Sequence, residues 1–183
     1  MSVVLLLCFL LPPGFVYSQD AAAEAAEAAA LPRSFHNIFL GIGLETLKGY
    51  LRDDASFNFR EDRDVSLVPS APEQTLVETQ GRDFIRRAFF QLRAGEVFIM
   101  SFTLNTALVD HYSVFTTFVT RYGEPTSLSP REAVWETEDT RVSIERPLTV
   151  KYIDKNSFTN MARGSSADGS RELLARNEFL DGF

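Results

Sequence analysis

Two periodicities alternate through the middle of this chain, and the switches between them mark its elements. In LETLKGYL, residues 44–51, Leu44, Leu47 and Leu51 sit at the spacing of one helical face. Gly41-Ile42-Gly43 precedes this short helix. Asp53-Asp54 read as the loop beyond it, because acids are unfavourable at the negative end of a helix dipole. Phe57 and Phe59 then alternate with polar neighbours. REDRD (60–64) reads as a turn, Val65–Val68 as a short apolar run, Pro69–Pro72 as a loop and Thr75–Thr79 as a strand.

The period of two is strongest over Phe84–Leu92 and Glu96–Leu104, which Arg93-Ala94-Gly95 joins into a hairpin. Ala88, Phe90 and Leu92 share one face of the first strand. Phe98, Met100, Phe102 and Leu104 share one face of the second. A slip of one residue would expose these groups, so the register is well specified. Arg86-Arg87 interrupts the most apolar strand. One of the two is expected to point inward, with Glu78 or Glu145 as its partner, since a buried guanidinium needs one.

Asp110 is placed to cap a helix over His111–Tyr122, whose stripe is Tyr112, Phe115, Val119 and Tyr122 with Phe118 beside it. Gly123 and then Pro125 stop it. Three further strands are predicted at Ala133–Thr137, Thr140–Arg146 and Leu148–Ile153, with a turn at Glu138-Asp139 and a bulge or bend at Pro147. Trp135 reads as a core anchor. Strands joined by tight turns must run antiparallel. The expected fold is therefore α+β: a largely antiparallel sheet with two short helices on one face. The order of elements also reads as a helix-plus-hairpin unit occurring twice.

The two ends differ from this middle. Residues 1–18 carry no charged side chain, and Val3–Leu11 form an apolar run of nine before Pro12-Pro13-Gly14. A membrane span needs roughly 20 such residues, so the run fits a signal peptide, with Val16 and Ser18 as the small residues before a cleavage point. No Lys or Arg precedes the run, so either the true start codon lies upstream or the α-amino group supplies the only positive charge. Residues 19–34, rich in Ala and Glu, read as a spacer. Residues 35–155 read as the folded domain, and 156–183 as a linker with a short helical tail. These readings make the chain a periplasmic or secreted protein with no stable membrane span once the signal is removed. Cys8 is preceded by Leu7 rather than a small residue, which argues against a lipid anchor. With Cys8 removed, the mature chain has no cysteine, hence no disulfide and no thiol chemistry.

The 183 residues include 18 basic and 25 acidic ones, for a formal charge of −7. Nucleic acid is excluded as a partner, since it demands a basic footprint. Sixteen Phe supply a real core. No chemistry-bearing motif stands out: there is no G-x-S-x-G elbow and no HExxH. Gly41-Ile42-Gly43 lacks the rest of a phosphate loop. His36 and His111 lie 75 positions apart with nothing requiring them to meet. Glu61, Asp62 and Asp64 lack the spacing and central Gly of a calcium loop and read as a solvated turn. Fifteen Arg against three Lys favour bidentate pairing with the acids; an anion or headgroup site at Arg86-Arg87 is the sharper alternative. A terminal Phe183 without alternating strands before it does not make a membrane barrel. No catalytic, cofactor-binding or metal residue is therefore assigned, no cofactor is expected, and a ligand-binding set stays open.

The stretches FLGIGLETLKGYL, FFQLRAGEVFIMSF, TRYGEPTSL, AVWET and ERPLTVKYID span about residues 35–155. In this order they resemble exported spirochaete proteins of uncharacterised activity. The helix-then-hairpin unit is also similar in outline to small periplasmic α+β modules of outer-membrane assembly, an architectural likeness that carries no function. The expected role is non-enzymatic: contacts with another envelope protein, in envelope assembly. The motivating features are an open sheet edge and the segments 20–30 and 170–183. The alternative is a carrier whose Phe-lined cavity between sheet and helices takes a small apolar or amphipathic ligand. A hydrolase-like enzyme stands third.

Overall fold

A computed structural model describes residues 30–67 and 73–160. Residues 1–29, read as a signal peptide and most of a spacer, the expected loop at Pro69–Pro72 and the expected tail beyond residue 160 lie outside the described residues.

The first elements are β1 (Ser34–Phe35), β2 (Ile38–Phe39), α1 (Leu44–Asp53), β3 (Phe57–Asn58), a 3-10 turn (Glu61–Asp64) and β4 (Val65–Leu67). A meander follows: β5 (Gln74–Gly81), β6 (Ile85–Arg93) and β7 (Glu96–Leu104). The second half repeats the order with α2 (His111–Tyr122), β8 (Ser127–Leu128) and the meander β9 (Glu132–Glu136), β10 (Thr140–Glu145) and β11 (Thr149–Asp154). One nine-stranded sheet runs β3-β5-β6-β7-β11-β10-β9-β8, with β4 also on β5, and every pairing is antiparallel. The fold is α+β, as the sequence predicts. Each half is a helix, a short strand and a three-stranded meander, and the last strands of the two meanders, β7 and β11, meet at the centre.

The two helices and the small β1–β2 hairpin pack on one face. Leu47 and Leu51 of α1 are buried there, and Phe35 of β1 stacks on Phe102 of β7 with ring centroids 4.4 Å apart. Phe102 also meets Phe90 at 5.7 Å, Phe57 at 6.4 Å and Tyr152 at 6.0 Å. On the opposite face a band of ion pairs crosses β9, β10 and β11 beside the buried Ile99, Val134 and Ser143. Arg141 pairs with Glu132 at 3.2 Å, Lys151 with Glu145 at 2.7 Å and Lys155 with Glu136 at 2.7 Å.

Several expectations need correction. Neither Arg86 nor Arg87 points inward. A register shift between Ile85 and Arg87 leaves both exposed, Arg87 pairing with Glu78 at 3.1 Å while Glu145 takes Lys151. A second shift, at Gln91/Leu92, sets Val97 opposite Leu92. Val97 thus joins the core cluster in the place the alternation gave to Phe98, which is buried outside it. Phe84 lies just before β6 and is 60% exposed. Tyr112 stands off the helix stripe, whose packed members are Val114, Phe115, Phe118, Val119 and Tyr122. Asp53 belongs to α1, which Asp54 terminates, and residues 155–160 are helical where a linker was read. Pro147 sits in a tight turn after a cis peptide bond. The edges of the open sheet are β3, β4 and β8, strands of two or three residues, which leave only a short ladder for another chain.

Candidate functional site

The sheet has two ends. At one of them the register gathers the residues before β6, the loop from β7 to α2, the β8–β9 turn and the β10–β11 turn. The backbone ties these connections together: Asn105 N–H donates to the Phe84 carbonyl at 2.8 Å, and Arg146 N–H to the Arg131 carbonyl at 2.9 Å. Four large apolar side chains are exposed here, Phe84, Leu108, Tyr112 and Leu128, at 56–74% of their area. Between α2, β8 and β9 this end opens into a cleft of about 490 Å³. Tyr112, Phe115, Leu128 and Ala133 form its apolar walls, and Asp110, His111, Ser129, Glu132 and Arg146 its polar rim. That volume falls in the range of ligand or anchor pockets.

The polar groups of the rim are mostly engaged. Asp110 caps α2, accepting from Ser113 N–H at 2.9 Å and from Ser113 Oγ at 2.5 Å, which holds its carboxyl below the usual range. Glu132 accepts from Arg141. Ser129 Oγ donates to the Glu132 carbonyl and accepts from the Arg131 and Glu132 amides, so the hydroxyl is part of a turn. Burial, then the charge of Arg146, holds the His111 imidazole pKa below its ordinary value against the opposing pull of Asp110. A neutral imidazole can accept a hydrogen bond here. Asp110 is therefore spent on the helix start, and Glu132 on Arg141.

Arg146 is different. It is exposed and forms no ion pair among the described residues, although Arg131, Arg82 and Arg86 share its end of the sheet and also lack one. Asp83 and Asp110, at the same end, likewise form no ion pair, Asp110 being taken up by Ser113 at the helix start.

The residues weighed in the sequence fall elsewhere. His36 Nδ1 bonds Asp54 Oδ2 at 2.7 Å and its ring stacks on Phe35 at 4.2 Å, apart from His111 in the cleft. Burial pushes the Asp54 carboxyl up, but hydrogen bonds from His36 and Ser56 more than offset this and leave it low. Each acid of the 60–64 turn takes its own cation: Glu61 Arg52 at 2.7 Å, Asp62 Lys48 at 3.1 Å, and buried Asp64 Arg60 at 2.7 Å. The first two pairs fasten the turn to α1 and the third closes the turn on itself, and no group of three or more candidate metal ligands occurs among the described residues. The Gly41 N–H donates to the Val97 carbonyl at 2.7 Å, tying the glycine turn to β7. Sequence reasoning missed the cleft, whose walls come from residues 110–115, 128–133 and 146. The signal that was available is Leu128, a large apolar residue outside every predicted element; Tyr112, which the helical period places on the stripe, leaves it for the cleft.

No curated protein and no solved structure matches the chain. A family match does exist over residues 33–164, more than two thirds of the chain and nearly all of the described fold. It fits the resemblance to spirochaete proteins and has no bearing on outer-membrane-assembly modules. On that match the chain belongs to the TP0088 domain family.

Proposed function

We propose that this is a non-enzymatic protein that works outside the cytoplasm and acts by docking on another protein through the apolar end of its sheet. The observation that carries this reading is the exposure of Phe84, Leu108, Tyr112 and Leu128 at one end of the sheet, where Tyr112 and Leu128 also line the cleft. Apolar side chains scattered singly need no explanation, whereas a group rimmed by polar residues marks an interaction surface. Residues 1–18 support the export part of the reading. The short strands at both sheet edges make strand addition the weaker route, so the contact is by side chains. A carrier would need interior space. Between sheet and helices the rings of Phe35, Phe57, Phe90, Phe102 and Tyr152 fill that layer at 4.4–6.5 Å.

Photo-crosslinking in the native cell tests the reading. A benzophenone side chain at Leu128 or Leu108 should give one shared protein adduct, identified by mass spectrometry. The same probe at Glu138, exposed at the other end of the sheet, should not. Equal adducts from all three positions, or none from the apolar end, would reject it.

A further inference from the structure

The apolar end carries a charge pattern that defines what it can hold. The protein as a whole is acidic, at −7, yet Arg82, Arg86, Arg131 and Arg146 gather at this end without ion-pair partners among the described residues. Arg82 has only a 3.4 Å hydrogen bond to Asn58 Oδ1. Every lysine of the described residues and Arg33, Arg52, Arg60, Arg87 and Arg141 are matched to carboxylates, while Arg63, Arg93 and Arg121 also lack an ion pair but do not line the cleft. The acids at this end are mostly occupied: Asp110 by the helix start, Glu132 by Arg141 and Glu145 by Lys151, leaving Asp83. A guanidinium beside an apolar wall offers a planar fork to a carboxylate whose attached chain can lie on that wall.

We infer that the end of the sheet around the 490 Å³ cleft receives an acidic protein segment, with a partner carboxylate on Arg146 and a neighbouring large apolar side chain between Tyr112, Phe115 and Leu128. This deepens the docking reading and rests on it. A protein segment fits better than a free acyl chain. Tyr112 and Leu128 are 74% and 66% exposed, so the walls leave an acyl chain wet, whereas a ligand pocket encloses most of its ligand. Arg131, Arg82 and Arg86 then supply the steering field for an acidic partner.

The test uses the full chain and four probes, followed by amide chemical shifts. The probes are a capped glutamate–phenylalanine–glutamate–phenylalanine tetrapeptide, its glutamine counterpart, decanoate and phosphatidylglycerol vesicles. The glutamate peptide should shift the amides of Leu108, His111, Phe115, Leu128 and Arg146 and bind at least about tenfold more tightly than the glutamine peptide. Its affinity should fall as salt rises. Arg146→Gln should remove that tenfold preference, and Arg131→Gln should weaken binding by less. Arg146 forms no ion pair to lose, so the variant should keep the wild-type tryptophan emission as a check on folding. Equal binding of the two peptides at these residues would overturn the acidic-partner inference while leaving apolar docking in place. Decanoate or vesicles binding there in preference to either peptide would overturn it in favour of a lipid. No response from any probe, together with adducts from the crosslinking positions, would reject the acidic chemistry; no response and no adducts would reject the docking reading as well.

Discussion

The indole Nε1 of Trp135, on β9, donates a 2.8 Å hydrogen bond to the carbonyl of Gly123, the residue that terminates α2. The ring also packs on Phe115 and Phe118 of the same helix, with centroids 6.0 and 5.4 Å away. Gly123 adopts φ +77°, so the chain turns sharply there, and the indole satisfies one of the carbonyls the helix end leaves over. One side chain thereby fixes α2, and with it the cleft wall at Phe115, to the sheet.

Trp135→Phe keeps the apolar contact and removes the donor. Gly123 is exposed, so water can take the place of the indole and the lost bond costs about 0.5–1.5 kcal/mol, whereas Trp135→Ala costs about 3–5 kcal/mol because a cavity is added. Urea titrations followed by far-UV circular dichroism check both, since Trp135 is the one tryptophan in the chain. Equal midpoints for wild type and Trp135→Phe would show that the hydrogen bond contributes nothing.

Phe102 joins the two halves of the molecule. It pairs across strands with Val150 and touches rings from β1, β3, β6 and β11. Phe102→Ala should cost about 3–5 kcal/mol, and Phe102→Leu less than half of that. If the halves fold as one unit, near-UV and far-UV signals should be lost at the same urea concentration in each variant; separated transitions would show that β7 and β11 do not couple them.

Two backbone positions predict opposite signs. Ala94 has φ +49° beside Gly95 at +84°, the geometry of a type I′ hairpin turn. Asparagine tolerates this region, so Ala94→Asn should stabilise the chain by up to about 1 kcal/mol. At Gly81 a Cβ would meet the Ile85 carbonyl oxygen at 2.3 Å, which is backbone and cannot swing away. Gly81→Ala should therefore destabilise by about 1–3 kcal/mol. Thermal melts of the two variants moving in the same direction would contradict one of these assignments.

His111 makes stability depend on pH. Its folded pKa is lowered by burial and by Arg146, against Asp110, with the Arg141-paired Glu132 on the same cleft. The unfolded chain, with a histidine pKa of about 6.5, therefore binds that proton more readily. The contribution of neutral His111 is full above about pH 6.5 and is lost as pH falls toward the folded value. His111→Asn should flatten the urea midpoint between about pH 8 and 5, and Arg146→Gln should raise the imidazole pKa read by NMR. A wild-type slope surviving in His111→Asn would assign the dependence to other groups.

What was readable without a structure was local. The period of Phe84–Leu104 and the caps Asp110 and Gly123 set β6, β7 and α2 almost residue for residue, because each signal acts within a few positions. Where bulges intervened, at Ile85/Arg87 and Gln91/Leu92, strict alternation misassigned Arg86, Arg87 and Phe98, since a bulge depends on the partner strand.

By itself the sequence determined the fold class, the antiparallel meanders and the two helices on one face, since periodicity dictates which side chains must leave water. Only the tertiary structure decided that β7 meets β11, that the sheet edges are short strands, and that Arg146 stands beside Tyr112 and Leu128 without an ion pair. Those outcomes depend on which distant segments share the same space, and local hydrophobic spacing carries no record of that.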